Sequence, residues 1–259
     1  MKIGVFDSGI GGLTVLHQAM LTLPKEEYLF YADADHVPYG EKTHEEIVRY
    51  VDEAVRFLLA KGVAAIVIAC NTATSVAIET MRRRYRVPLL GIEPAIKPAV
   101  QGCYGKRIMV IATPVTVREK RLKDLIARVD EEHHVDLLAT PKLVTLAEKE
   151  EFNTPEAEQY LRSVFEPYNL AEYSSLVLGC THFNYFKDTL RRIFPAGVDF
   201  LDGSAGTVNH LADTLHKMKS QEMSVPAVTY YCSGRIITAP AELARIERLH
   251  RRLDQMLHI

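Results

Sequence analysis

The chain has no run of about 18 apolar residues, so no membrane-spanning helix is expected. Neither sign of charge is in excess. Lys and Arg number 31 against 33 Asp and Glu, leaving a net charge of −2, and no bulk field recruits nucleic acid or an anionic membrane. Cysteine is scarce. The four at positions 70, 103, 180 and 232 show neither paired nor metal-ligand spacing, so neither a disulfide framework nor a metal site is expected. Low-complexity tracts and Ser/Gly-rich linkers are missing. The N-terminus enters a strand at once (Lys2-Ile3-Gly4-Val5-Phe6) and shows no cleavable signal pattern. Reduced thiols and a cytoplasmic location are therefore expected. The densest basic spot, Arg82-Arg83-Arg84, falls in the last turn of a predicted helix, where cations complement the dipole.

What remains is ordinary globular material, 47% hydrophobic and 25% charged over 259 residues. Strand and helix patterns alternate along it. Predicted strands cover Ile3–Phe6, Tyr28–Ala32, a run ending at Cys70, and Leu89–Ile92. After the loop Gln101-Gly102-Cys103-Tyr104-Gly105 a second series follows, with strands at Arg107–Ala112, Val135–Ala139, Leu176–Gly179, Val198–Leu201 and Val228–Cys232. Helices are expected through Leu23, from the Thr43/Glu46 capping-box pair to about Lys61, through Arg84, and over Thr116–Arg128 and Thr154–Phe165. Three more are expected at Phe186–Phe194, at Ser204–Met218 and from Pro240 onward. This alternation predicts an α/β fold with parallel sheets and helices on both faces. The two series line up. Cys70 lies 63 residues after Asp7, which ends the first strand of one, and Cys180 lies 67 after Thr113, which ends the first strand of the other. Two pseudo-symmetric domains facing each other are expected, one spanning 1–93 and the other 94–205, with the boundary near Glu93-Pro94.

The two cysteines carry the chemistry. Ile66-Val67-Ile68-Ala69-Cys70-Asn71-Thr72 and Leu176-Val177-Leu178-Gly179-Cys180-Thr181-His182 both run from a buried strand through a small residue to a thiol and then to polar helix starters. Open α/β sheets place ligands at such strand ends, and the positive end of a following helix favours a thiolate. Two equivalent thiols suggest one base on each side of a single substrate, the arrangement that inverts a carbon centre. Cys103 and Cys232 lack this context and read as small core hydrophobes.

The remaining motifs each read two ways. Asp7-Ser8-Gly9-Ile10-Gly11-Gly12 forms a strand-to-helix turn whose N–H groups suit an anion, while Asp7 also reads as a helix N-cap. As a dinucleotide fingerprint the turn is incomplete, because Thr14 holds the last glycine position, although Asp33, 22 residues after Gly11, is placed like a ribose acid. Pro38-Tyr39-Gly40 reads as a ligand loop or as an ordinary turn. Asn71, Thr72 and Thr181 read as helix caps, substrate donors or both. Asp7 is placed to assist Cys70, and His182 to assist Cys180.

Taken in order, Asp7-Ser8-Gly9-x-Gly11-Gly12-Leu13, Pro38-Tyr39-Gly40, Ala69-Cys70-Asn71-Thr72-Ala73 and Gly179-Cys180-Thr181-His182-Phe183 resemble the signatures of the glutamate racemases over most of the chain. The resemblance implies a cofactor-independent enzyme that makes D-glutamate for peptidoglycan. It implies two α/β domains with the site between them, the first completed by a returning C-terminal segment, here 206–259. It implies Cys70 and Cys180 as the two bases, assisted by Asp7 and His182. Ser8, Pro38, Tyr39, Gly40, Asn71, Thr72 and Thr181 are then substrate-binding. Pro141-Lys142-Leu143-Val144-Thr145-Leu146-Ala147-Glu148 is similar to the family segment that ends in an assisting glutamate, which marks Glu148. Thr113 and Thr116 match the pair that holds the substrate carboxylate. Asn184 departs from the family's usual proline. A homodimer acting on glutamate is expected, with no membrane and no nucleic-acid partner. Two other readings stay open at this level: a racemase of another acidic amino acid such as aspartate, and a non-catalytic amino-acid-binding regulator of the same fold.

Overall fold

The capping box at Thr43 forms as its spacing predicts, with Thr43 N donating to Glu46 Oε2 at 2.8 Å and Glu46 N donating to Thr43 Oγ1 at 3.3 Å. The helix it opens is one of eleven among the described residues of the computed structural model, which describes residues 1–218 and 225–259. In chain order the first unit gives β1 (Lys2–Asp7), α1 (Leu13–Thr22), β2 (Glu27–Ala32), α2 (His44–Ala60), β3 (Ala65–Ile68), α3 (Asn71–Arg84) and β4 (Leu89–Gly91). The next stretch gives α4 (Ile96–Gln101), β5 (Arg107–Ala112), α5 (Pro114–Arg118), α6 (Lys120–Val129), β6 (Val135–Ala139), α7 (Lys142–Glu148) and α8 (Pro155–Phe165). Then come β7 (Tyr173–Leu178), a 3₁₀ segment at Thr181–Phe186, α9 (Lys187–Arg191), β8 (Asp199–Asp202), α10 (Ser204–Met218), β9 (Ala227–Cys232), β10 (Arg235–Ile236) and α11 (Pro240–Met256).

Two sheets result, in the orders β10-β9-β2-β1-β3-β4 and β6-β5-β7-β8. Every pairing is parallel except β10 with β9. The central strands β1, β3, β5 and β7 are buried almost end to end, which is why they read as unbroken apolar runs rather than alternating ones. β9 returns after α10 to extend the first sheet beside β2. The largest apolar cluster joins β1, α1 and α11 to β5, α7, β7 and the 3₁₀ segment, so the two sheets share one core.

The structure departs from the sequence expectation in several places, among them the short antiparallel strand β10. The helix expected over Thr116–Arg128 breaks at Glu119, whose ψ of 135° is extended. The helix expected from Phe186 is a 3₁₀ segment followed by the five-residue α9. Neither α4 nor α7 was expected, since six and seven residues give too little periodicity to read.

Candidate active site

Most of the marked residues lie at or just past the carboxyl ends of strands, while Glu148 ends α7 and Thr116 lies within α5. The two sheets bring those strand ends together. Asp7 ends β1, Cys70 follows β3, Thr113 follows β5 and Cys180 follows β7. Hydrogen bonds cross between the units. Thr72 Oγ1 lies 2.9 Å from Thr113 Oγ1, Thr181 Oγ1 donates to Asp7 Oδ1 at 3.4 Å, and Ile10 N donates to Glu148 Oε1 at 2.9 Å. Asp7, Ser8, Asn71, Thr72, Thr113, Thr116, Thr181 and His182 are all buried, as are both cysteines.

Around Cys70 the donors are local. The residue is the N-cap of α3, and its Sγ accepts from Ala73 N at 3.4 Å. Ser8 Oγ lies 3.6 Å away. Burial nevertheless pushes the Cys70 thiol well up, and the nearby Asp7 carboxylate and Cys180 push the same way. The expected preference for thiolate at this helix start is thus outweighed by desolvation. Asp7 itself accepts from Gly9 N at 3.1 Å, yet burial raises its pKa from 3.8 to about 6.

Around Cys180 the donors form a relay. Its Sγ lies 3.7 Å from His182 Nδ1, and His182 Nε2 lies 2.8 Å from Glu148 Oε1. Burial alone would lower the His182 pKa. Its hydrogen bonds and charge interactions with Cys180 and Glu148 override this and hold the imidazole well above its ordinary value. Glu148 is held below the usual carboxylate range, its burial outweighed by His182, the Ile10 N–H and Arg245.

Next to Cys70 in the chain, and across from it on the second sheet, stand polar groups suited to a small zwitterion. The hydroxyls of Thr72, Thr113 and Thr116 form a triangle with sides of 2.9, 3.2 and 3.0 Å, and each can turn its proton toward an anion. Asn71 is buried with both side-chain amide atoms unpartnered, a costly state that a polar ligand relieves. Gly40 touches the same place, since a Cβ there would stand 2.9 Å from Thr113 Cβ. Pro38 precedes it in a cis Val37–Pro38 turn. Tyr39 is used differently: its hydroxyl donates to Asp33 Oδ2 at 2.6 Å and its ring is buried in the core. Asp33 also meets His36 and Ser233, so it is engaged within the protein rather than presented to a ribose. Among the described residues no three of His, Cys, Asp and Glu are grouped to hold a metal ion.

Residues 14–211 match the model of the Asp/Glu/Hydantoin racemases. The chain belongs to that family. It is a racemase, and it is 51% identical to a glutamate racemase of Lachnospira eligens over the full length of both chains. It is 42% identical to glutamate racemase 2 of Bacillus subtilis, with 98% of this chain and 97% of that one covered. Among solved structures, Escherichia coli glutamate racemase in complex with L-glutamate and the activator UDP-MurNAc-ala aligns with a TM-score of 0.85 at 30% identity, covering 97% of this chain and 94% of that one.

In this racemase the glycine turn proves to be a docking surface. A Cβ on Gly9 would strike Glu148 Oε1, and one on Gly11 would strike His182 Nδ1 and Thr181 Oγ1. The glycines admit the second unit, a role the fingerprint reading did not foresee. Thr14, which breaks that fingerprint, donates to Thr181 O at 3.1 Å, and Tyr185 OH donates to Ile10 O at 3.3 Å. These contacts pair residues more than 160 positions apart, so no local signal could have announced them.

Proposed function

We propose that this racemase interconverts L- and D-glutamate through two thiols, without a cofactor. The observation that carries the reading is the pair of buried cysteines at facing strand ends, each with its own proton-handling neighbour. One thiolate takes the α-proton, the electron pair left on Cα spreads into the carboxylate, and the opposite thiol protonates the other face. In this reading the threonine triangle, Ser8 and Thr181 bind the carboxylate and ammonium, with Asn71 as a further donor and acceptor. The Pro38, Tyr39 and Gly40 turn closes over them. Asp7 serves Cys70, while His182 and Glu148 serve Cys180. A carbanion of this kind needs preorganised donors in a closed, dry site. Cys70 and Cys180 are 5% and 6% exposed, so substrate enters when the units part. We take those units as 1–93 with 206–259, and 94–205.

Glutamate is favoured because the curated relatives carry that substrate in their names and the Escherichia coli neighbour was solved with L-glutamate. Its second ligand, UDP-MurNAc-ala, supports a place for the product in peptidoglycan synthesis; we further propose a cytoplasmic homodimer. The test is optical rotation of purified protein with L-glutamate, and with L-aspartate in parallel, after exhaustive dialysis against a chelator and treatment with hydroxylamine. Rotation should decay to zero for glutamate alone. Faster decay of aspartate would reassign the substrate. Activity that returns only on adding metal or pyridoxal phosphate would overturn the cofactor-free mechanism.

A further inference from the structure

The C-terminal helix grips a part of the site that its own sheet does not supply. α11 follows the β9–β10 strands of the first sheet and buries Ile246, Leu249, Leu253 and Met256. Its arginines at 245, 248 and 252 are spaced three and four apart and so share a face. At one end Arg252 Nη2 donates to Tyr185 O at 2.8 Å and to Asp188 Oδ1 at 2.6 Å, beside the segment that carries His182. At the other end Arg245 Nη2 donates to Glu148 O at 2.7 Å, and its Nε donates to Glu150 Oε1 at 2.8 Å. Arg248 Nη2 stands 3.6 Å from Glu150 Oε2.

The stop of α7 explains why these contacts matter. Glu148 O is among the last carbonyls of the helix, which have no partner inside it. Glu150 N donates to Ala147 O and Glu151 N to Leu146 O, both at 2.9 Å, in a Schellman turn. Its left-handed residue, normally glycine, is Glu150 with φ of 61°. A glutamate is strained there, but its carboxylate meets two arginines of α11. The same helix end must hold Glu148 Oε1 within bonding reach of both Ile10 N and His182 Nε2. A small shift of α7 breaks one of those bonds.

We propose that Arg245 and Glu150 form a latch that positions Glu148 against His182. Arg245 touches no reacting atom, so it is a positioning residue. The assignment rests on the reading above, in which His182 and Glu148 serve Cys180.

Three variants of the full chain test it: Glu150→Gly, Arg245→Gln and Arg245→Lys. Glycine suits the left-handed backbone, so Glu150→Gly should keep or raise the Tm while removing the latch. Its kcat with glutamate should fall ~10-fold, short of the ~100-fold that an ångström of displacement costs, with KM changed less than ~2-fold. The groups facing His182 are Cys180 on its own segment, Glu148 on α7 and Asp7 at the end of β1. Followed by NMR, the His182 imidazole should therefore titrate at lower pH once Glu148 is loosened. Arg245→Gln should match both effects, the double variant should add nothing, and Arg245→Lys should restore part of each. Unchanged kcat, or a fall in kcat with the His182 titration unmoved, would overturn the latch. The imidazole titration does not depend on turnover. A protein that fails to racemise glutamate would sink the function and leave the latch still measurable.

Discussion

The Cys70 half and the Cys180 half repeat one pattern of strand, small residue, thiol and polar turn, but they solve the proton problem differently. Cys70 caps a fourteen-residue helix and takes a backbone N–H and a serine hydroxyl. Its acidic neighbour, Asp7, is balanced by the charge of His182 from the other half. Cys180 caps a 3₁₀ segment, makes no side-chain capping bond, and meets a histidine backed by a glutamate. The repeat in the chain thus places the thiols, while the neighbours that differ between the halves, Asp7 and Ser8 on one side and His182 with Glu148 on the other, give each thiol a different environment. Those residues also cross over, because Glu148 is held by Ile10 N of the first unit and Asp7 by Thr181 of the second. Neither half is complete until the other has docked.

The bluntest way to break the comparison is to remove a thiol. Cys70→Ala and Cys180→Ala should each abolish racemisation in both directions, since in the proposed mechanism each direction uses one thiol as base and the other as acid. Losses of about 10²–10⁴-fold or more are expected from steady-state assays. Cys103→Ala and Cys232→Ala should leave turnover nearly intact, Cys103 being packed in a separate apolar cluster and Cys232 ending the edge-side strand β9. Appreciable activity in either active-site variant would end the two-thiol assignment.

A lesser blow is to keep both thiols and obstruct their meeting. In Gly11→Ala the added Cβ would strike His182 and Thr181. Activity should drop by about 100-fold, as for an ångström of misplacement. Gly206→Ala, where the new Cβ meets nothing within 4 Å, should leave kcat unchanged. Equal activity of the two variants would show that the glycine turn is not a docking surface.

Much of this was legible in the chain. Buried parallel strands announce themselves as unbroken apolar runs, and both cysteines stand where such runs end. The capping box at Thr43 could be read because its partners lie three residues apart, and the threonine pair at 113 and 116 only through the resemblance to the glutamate racemases. The crossing contacts could not. Arg245 bonds to Glu148 across 97 positions and Thr14 to Thr181 across 167, and nothing in a helix face of arginines says which carbonyl it will reach. The upward push on the Cys70 thiol could not be read either, since helix-end stabilisation is visible in order along the chain and desolvation is not.

Asp7 gives a thermodynamic handle on the first half. Its pKa is raised by burial to about 6 in the folded protein, against 3.8 for an exposed carboxyl. The folded state therefore binds a proton more readily than the unfolded chain between about pH 4 and 6. Asp7's contribution to stability grows as pH falls through that window and is a cost above it. At pH 7.5 the Asp7→Asn variant should be the more stable by up to about 3 kcal/mol, and the difference should shrink as pH falls and vanish below about pH 3. Asp52, Asp136 and Asp188 have lowered pKa values and act with the opposite sign, so the quantity to measure is the difference between the two proteins in urea melts. An Asp7→Asn variant less stable than its parent at pH 7.5 would show that the carboxylate is better solvated in the site than its burial implies.

The finest test asks whether each neighbour serves only its own thiol. If Asp7 assists Cys70 and His182 assists Cys180, each assisted thiol is the base in one direction and the acid in the other. Asp7→Asn and His182→Asn should then depress the maximal rates from L- and D-glutamate to different extents, with opposite bias. The L/D equilibrium constant is one and no variant can change it, so kcat/KM must fall equally in both directions. Any bias must therefore appear in kcat and be matched in KM. The expected asymmetry is a few-fold, within the range that general acid–base assistance supplies, and initial rates from each enantiomer at saturation measure it. The two environments give the bias a physical source. Asp7 is a buried carboxylic acid poised near neutrality beside a thiol whose pKa is pushed up. His182 is an imidazole whose pKa is held up by Cys180 and by Glu148, and it loses part of that hold when the carboxylate goes. Glu148→Gln should accordingly carry the same sign of bias as His182→Asn and a smaller size. Equal loss of kcat in both directions for all three variants would mean that the two halves share one proton reservoir.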